Sequence, residues 1–161
     1  MSGVRYLEDH KVGEIAEFGR YEVTEAEMLE FARDFDDQPF HTDPEAAKHT
    51  IFGGLIASGW HTCAMMMRMV CDNRLSEDAG AATMGSPGFD DLKWLQPVRP
   101  GDILSVRSEV IEVEPSRSKP DRGHIRLHSQ IRKQDGTVVM EMKNLAIVRR
   151  RPATTGERGQ T

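Results

Sequence analysis

The sequence predicts an α+β domain in which a largely antiparallel sheet wraps around one long helix. The stretch from Trp60 to Val70 is apolar on nearly every helical face apart from Arg68, as expected for a buried central helix. Residues 103–148 instead carry β-branched residues and alternating apolar and polar positions, which are typical of strands. Helical patterns early in the chain and strand patterns late favour an α+β arrangement.

The strand patterns of the second half predict a sheet with one polar face. Residues 103–113 are rich in β-branched side chains, and Ile125, Leu127 and Ile131 alternate with polar residues. Asp135-Gly136 separates this second strand from a third, and glycine readily takes the positive φ that a tight hairpin needs. Adjacent strands joined by such a hairpin are antiparallel.

An earlier helix is predicted from Glu25 to Phe35. Thr24 and Glu27 have the spacing of a capping box, and the apolar residues that follow keep the helical period. Pro39 lacks an amide donor and disfavours the helical conformation of the residue before it, so this helix cannot continue through residues 36–41. We expect a tight, polar loop at these positions.

Length and composition exclude several classes of protein. With 161 residues the chain is long enough for one domain, which we place at residues 1–150, followed by a disordered polar tail at 151–161. The 21 Lys and Arg against 26 Asp and Glu give a net charge of −5, which predicts no binding to nucleic acid. No stretch approaches the ~20 apolar residues of a membrane span, and nothing resembles a signal peptide. We therefore expect a cytoplasmic protein with no membrane association, and its two cysteines suggest no disulfide framework.

Three separated blocks of sequence resemble the MaoC-like hydratases. Residues 36–41 (DDQPFH) are similar to the D-x-N-P-x-H signature of that family, and residues 52–59 (FGGLIASG) to the segment that follows it. Residues 94–102 (WLQPVRPGD) resemble its W-x-x-P-V-x-x-G-D stretch. Agreement of three blocks in order is more specific than one short motif.

The resemblance implies a fold, an activity and a site. It implies the hotdog fold, in which the sheet wraps the central helix, and addition of water to an enoyl-thioester, with coenzyme A as the expected carrier. It further implies that Asp36 and His41 form the catalytic pair, that Gly59 begins the central helix, and that the protein is at least a homodimer. Residues 11–148 carry the likeness.

Two positions depart from the family pattern. Gln38 stands where the signature has Asn, and Ser58 stands where many members have His before the glycine. The longer side chain of Gln38 changes the hydrogen bonding that can set the distance between Asp36 and His41. We place Gln38 and Ser58 among the substrate-binding residues.

Hydration of a 2-enoyl thioester fits these residue types. The reaction needs a base for the attacking water, an acid for the α-carbon and donors for the enolate oxygen. Asp36 and His41 can share the first two tasks, and the sequence leaves open which of them is the base. The amide of Gly59, at the start of a buried helix, can stabilise the developing oxyanion. No cofactor and no metal is expected.

Two other functions share this substrate class. A hotdog acyl-CoA thioesterase would generally carry an acidic residue on the central helix, whereas residues 60–71 contain none. A non-catalytic acyl-CoA-binding protein would keep the pocket without the chemistry, and the presence of both Asp36 and His41 argues against it. Four further histidines, His49, His61, His124 and His128, are expected to be structural.

A basic loop between two predicted strands is a candidate for binding the carrier. Residues 115–123 (PSRSKPDRG) bring Arg117, Lys119 and Arg122 close together in an otherwise acidic chain. Their cationic groups can bind the phosphates of coenzyme A or the acidic residues of a carrier protein, so Arg117 and Lys119 are predicted to be substrate-binding. The alternative is a solvated loop without a ligand.

Overall fold

A computed structural model describes residues 4–75 and 82–153. A short 3₁₀ helix, Leu7–Asp9, precedes the main elements. The strands are β1 (Ile15–Glu22), β2 (Thr83–Trp94), β3 (Ile103–Pro115), β4 (Arg122–Arg132) and β5 (Val138–Arg149). The helices are α1 (Glu25–Phe35), α2 (Pro39–Thr42), α3 (Pro44–Ala47) and α4 (Gly59–Leu75). Helix α1 has the predicted bounds.

The five strands form one antiparallel sheet in the order β1-β3-β4-β5-β2. Asp135 and Gly136 lie in the turn between β4 and β5, where Gly136 has φ 86° and the Asp135 carboxylate accepts the Thr137 amide at 2.8 Å. The predicted hairpin is therefore confirmed. The edge strands β1 and β2 were not predicted, because neither shows a clear alternation and β2 contains two glycines and a proline.

Helix α4 packs against one face of this sheet. Its side chains Met65, Met66 and Met69 are buried in a core shared with β3, β4 and β5 residues such as Leu104 and Met140. Since apolar area removed from water stabilises a fold by roughly 25 cal/mol per Å², the side chains buried between α4 and the sheet stabilise this arrangement.

The opposite face of α4 is not covered within one chain. Trp60 is 55% exposed and Met67 is 52% exposed, so the prediction that α4 is buried all round is wrong for the single chain. The physical reason is that one sheet covers one side of a helix, and α1 covers only part of the other. In residues 4–75 and 82–153 no helix is long and apolar enough to cross a membrane.

The two ends of the described chain lie against each other. Arg150 pairs with Glu8 at 3.0 Å, and Arg151 pairs with Asp9 at 2.6 Å while its guanidinium stacks on the ring of Tyr6. The arginine run is thus held by carboxylates of the 3₁₀ segment. Residues 154–161 of the predicted tail lie outside the described residues.

Candidate active site

A pocket of about 450 Å³ opens where α2, the first turn of α4 and the segment after β2 meet. Asp36 is the one acidic side chain among the described residues that line it. The walls are mainly apolar and aromatic and are formed by Phe40, Phe52, Ile56, Ala57, Trp60, Trp94, Leu95, Pro97, Val98 and Val139, with Gln38, His41, Gly59, Thr62 and Gln96 completing the lining. An apolar pocket with a few convergent polar groups is the usual form of a small-molecule site.

Local sequence places Asp36 and His41 at this pocket. Asp36 is the C-cap of α1, and Pro39 begins the short helix α2, which carries His41. The segment predicted as a polar loop therefore contains a helical turn, because proline suits the first position of a helix. His41 is buried, with 6% of its surface exposed, rather than solvated.

The two side chains lie in direct contact. The distance from His41 Nε2 to Asp36 Oδ2 is 3.3 Å, and His41 Nδ1 lies 2.9 Å from the backbone oxygen of Ile56. Since a carbonyl oxygen can only accept a hydrogen bond, Nδ1 carries the proton. In the neutral imidazole, Nε2 is therefore the unprotonated nitrogen, and His41 lines the pocket.

Two side chains donate hydrogen bonds to the Asp36 carboxylate. Gln38 Nε2 donates to Oδ1 at 2.6 Å, and Ser58 Oγ donates to Oδ2 at 2.6 Å. Burial raises the pKa of Asp36, but the hydrogen bonds from Gln38 and Ser58 and the charge of a protonated His41 outweigh burial and leave the pKa below its usual value. Asp36 is accordingly held as a carboxylate.

Both departures from the family signature thus contact Asp36. Gln38 also lines the pocket, whereas Ser58 is buried behind it with 1% of its surface exposed. Ser58 precedes α4, and its hydroxyl oxygen accepts the amide of Trp60 at 3.3 Å, as an N-cap side chain does. One hydroxyl therefore links the start of α4 to the candidate catalytic carboxylate.

Gly59 begins α4 as the resemblance implied, and it lines the pocket. The first amides of a helix have no acceptor within the helix, and the positive end of the helix dipole lies there. A Cβ at position 59 would come within 2.3 Å of the Trp94 ring, whose Nε1 donates to the Gly59 oxygen at 3.0 Å. Glycine is therefore needed for the close approach of Trp94, whatever its amide does.

Four aromatic side chains form walls of the pocket, and the sequence analysis did not predict them as pocket residues. Phe40 packs on Phe52 with ring centroids 5.4 Å apart, and Trp60 meets Trp94 edge to face at the same separation. Three of the four stand inside the motif blocks at 36–41, 52–59 and 94–102, and Trp60 follows the second block directly. Their position in or next to those blocks is the feature of the sequence that could have indicated a role at the pocket.

Arg117 and Lys119 do not lie at this pocket within one chain. They belong to the hairpin between β3 and β4, where Pro115 pairs with Gly123, whereas the pocket lies at the other end of the sheet beside Val139. The two ends of β4 are about 30 Å apart. Among residues 4–75 and 82–153, no three His, Cys, Asp or Glu side chains are placed to bind one metal ion.

A five-stranded antiparallel sheet packed against one long helix is the arrangement of the hotdog class of folds. Among solved structures, the (R)-hydratase PhaJ1 of Pseudomonas aeruginosa shares this fold, with a TM-score of 0.68 at 23% identity over 97% of this chain and 94% of that chain.

The chain belongs to the MaoC-like dehydratase family, since the model of the MaoC like domain matches residues 9–130. It is similar to the MaoC-like dehydratase of Rhodospirillum rubrum, with 40% identity and a TM-score of 0.83 over 92% of this chain and 99% of that one. It is also 34% identical to a 3-hydroxybutyryl-CoA dehydratase of Methylorubrum extorquens, over 72% of this chain and 70% of the relative.

Proposed function

We propose that this protein hydrates 2-enoyl thioesters, with coenzyme A as the carrier, and catalyses the reverse dehydration. The observation that carries the proposal is the contact of Asp36 with His41, 3.3 Å apart, at the mouth of a largely apolar pocket. The similarity to a 3-hydroxybutyryl-CoA dehydratase supports this substrate class.

The hydrogen bonds support a division of roles between the two residues. His41 Nε2, unprotonated in the neutral ring, takes a proton from the water whose oxygen forms a bond to the β-carbon. The electron pair of the double bond moves onto the thioester oxygen as an enolate. The imidazolium then returns a proton from Nε2 to the α-carbon, so the dyad ends as it began.

Asp36 acts in this scheme as a carboxylate throughout. Its lowered pKa makes it a poor proton donor, and its charge stabilises the imidazolium at 3.3 Å. A carboxylate that receives Gln38 and Ser58 still has lone pairs to orient the attacking water. We assign the amide of Gly59 to the enolate oxygen, because a helix N-terminus favours negative charge.

An assay of enoyl-CoA thioesters of increasing chain length tests the proposal. Loss of the enoyl absorbance without release of free coenzyme A thiol is the expected result. Release of thiol at the same rate would instead indicate a thioesterase, although α4 carries no acidic residue between positions 60 and 71. Binding of the thioesters with neither reaction would indicate a non-catalytic acyl-CoA-binding protein.

We further propose a homodimer joined at β2. This edge strand exposes Met84, Phe89 and Trp94, and the uncovered face of α4 exposes Met67 and Trp60, of which Trp60 meets Trp94. Two copies pairing along β2 would cover these side chains and complete the hydrogen bonds of an open sheet edge. Sedimentation at micromolar concentration should show a dimer, and a fully active monomer would contradict the proposal.

A further inference from the structure

The hairpin between β3 and β4 presents a basic edge at the end of the sheet away from the pocket. Arg117 is 92% exposed and lies 3.5 Å from Glu114, while Arg122 is held by Asp121. No described residue forms a salt bridge with Lys119 or with the exposed Arg149, which is paired with Arg122 across the sheet. Although the chain has a net charge of −5, this edge carries cationic side chains without a salt-bridge partner among the described residues, and these can bind an anion.

The symmetry of a dimer decides where this edge lies relative to a pocket. Antiparallel pairing of β2 with its copy requires a two-fold axis perpendicular to the sheet, and such an axis exchanges the two ends of the strands. The hairpin of one subunit then lies at the same end of the joined sheet as the pocket of the other. Within one chain, the two are separated by the length of β4.

The distances agree with the length of a coenzyme A thioester. From β2 of one subunit, the partner's β4 and β3 are the third and fourth strands away, which corresponds to roughly 14–19 Å at the spacing of strands in a sheet. The pantetheine arm has 13 bonds between sulfur and the first phosphorus and spans about 15 Å when extended, by comparison with a polypeptide backbone of equal bond number.

We infer that Arg117 and Lys119 of one subunit bind the phosphates of the thioester whose acyl group lies in the pocket of the other subunit. The inference rests on the proposed function and on the dimer joined at β2. It explains why basic residues suited to phosphate lie far from the pocket of their own chain. Each active site is then incomplete without the second copy.

Mixed dimers show whether the hairpin contributes to substrate binding at the pocket of the partner subunit or at the pocket of its own subunit. Asp36→Asn is combined in one dimer with Arg117→Ala/Lys119→Ala, using two affinity tags to isolate the mixed species. Its one intact dyad lies on the subunit with the altered hairpin, and the intact hairpin lies on the other subunit. Lys11→Ala/Arg20→Ala serves as the control, because it removes two charges near the opposite edge strand β1.

The Arg117→Ala/Lys119→Ala homodimer should show a KM for enoyl-CoA raised about tenfold at low salt, less at high salt, and an unchanged kcat. The control should keep the wild-type KM. The mixed dimer should return to the wild-type KM with half the wild-type kcat per dimer. A mixed dimer that keeps the raised KM would overturn the inference, as would an unchanged KM in the homodimer.

A binding arm keeps the inference separate from the proposed reaction. If the wild-type protein hydrated none of the thioesters, calorimetry of coenzyme A with Asp36→Asn would still measure the contribution of the hairpin. Weaker binding by about tenfold when Arg117→Ala/Lys119→Ala is added supports the phosphate contact. Equal binding overturns it.

Discussion

Helix α4 has a histidine–carboxylate pair on each side, and the two pairs differ in the further partners of their side chains. On the pocket side, His41 Nε2 lies 3.3 Å from Asp36, and on the other side His61 Nε2 lies 3.8 Å from Glu27. Both imidazoles are buried. The comparison shows what the candidate catalytic pair has beyond proximity.

The difference lies in the second partner of each group. His41 Nδ1 is bonded to the backbone oxygen of Ile56, whereas His61 Nδ1 is buried with no hydrogen-bond partner among the described residues. Asp36 receives Gln38 and Ser58 and is largely buried, whereas Glu27 accepts the hydroxyl of Tyr21 and is 40% exposed. In the first pair, both side chains have further hydrogen bonds that fix their orientation. In the second pair, Nδ1 of His61 has no such partner among the described residues.

A second pocket beside His61 confirms the contrast. It has about 390 Å³ and is lined by charged side chains of α1, among them Glu27 and Glu30, together with exposed Phe35. The ring of His61 stacks on Phe31 with centroids 4.6 Å apart, which is a packing contact. We therefore expect turnover to depend on the first pair and stability on the second.

The largest effect should follow from breaking the first pair. Asp36→Asn and His41→Ala should each lower kcat by about 10²–10⁴, the range for loss of general acid–base catalysis. The double variant should be little worse than either, because in the proposed mechanism the two residues act on one water. Steady-state hydration of a good enoyl-CoA measures this, with Glu27→Gln as the matched control that should stay near wild type. Near-normal turnover in either single variant would remove the dyad assignment.

A smaller loss of kcat, together with a loss of stability, is expected when a side chain is added at the start of α4. Gly59→Ala keeps the backbone amide but places a methyl group against Trp94, and overpacking of this kind costs about 1–3 kcal/mol of unfolding free energy. The expected result is a lower Tm together with reduced kcat. Adding Trp94→Leu should recover part of both by removing the ring. A double variant no better than Gly59→Ala would show that position 59 matters for reasons other than the clash.

The candidate dyad could be predicted from the sequence, while its hydrogen-bond partners could not. Asp36 and His41 stand in one short motif, and the resemblance of three sequence blocks to the MaoC-like hydratases indicated the pair, which spacing alone did not. Ser58 is 22 residues from Asp36, and the acceptor for His41 Nδ1 is a backbone oxygen that any residue at position 56 would supply. Only the folded chain brings such groups together.

The strands of the fold were also predicted unequally well, since β3, β4 and β5 were predicted and β1 and β2 were not. Strands β3, β4 and β5 carry regular patterns because one face of each packs on α4. The edge strand β2 has register shifts at three places, glycines, and side chains that are mostly exposed in one chain, so it lacks the alternation of a strand packed on a core. The apolar residues of α4 indicated burial without indicating that a second copy, as proposed here, is needed for half of it.

The hydroxyl of Ser58 links the dyad to α4, and its removal should have a moderate effect. Ser58→Ala removes a donor to Asp36, which should raise the pKa of that carboxyl and lower kcat by about tenfold, since a hydrogen bond to a charged group contributes about 1.5–3 kcal/mol. Loss of the cap should also cost about 1 kcal/mol of stability.

Ser129→Ala is the matched control, because it also removes a buried serine hydroxyl, bonded to Asn144 at 2.9 Å, on a residue that does not line the pocket. It should lower the Tm and leave kcat unchanged. Chemical denaturation and hydration kinetics of the two variants together measure the difference. Equal kcat losses in both would mean that the effect of Ser58 is structural.

The smallest effect is expected from the second pair, and it should change the pH dependence of stability while kcat stays within about twofold. Burial lowers the pKa of His61 below 6.5, although Glu27 acts in the opposite direction. As the pH falls below 6.5, the unfolded chain binds a proton that the folded chain does not, so the free energy of unfolding decreases.

His61→Leu abolishes this proton uptake. The variant should therefore gain stability relative to wild type on going from about pH 7.5 to about pH 5.5, by at most about 1.4 kcal/mol per pH unit below 6.5. His10, whose pKa burial also lowers, is present in both proteins and cancels in the difference. Urea unfolding at the two pH values measures it, and a difference independent of pH would show that His61 titrates alike in the folded and unfolded chains.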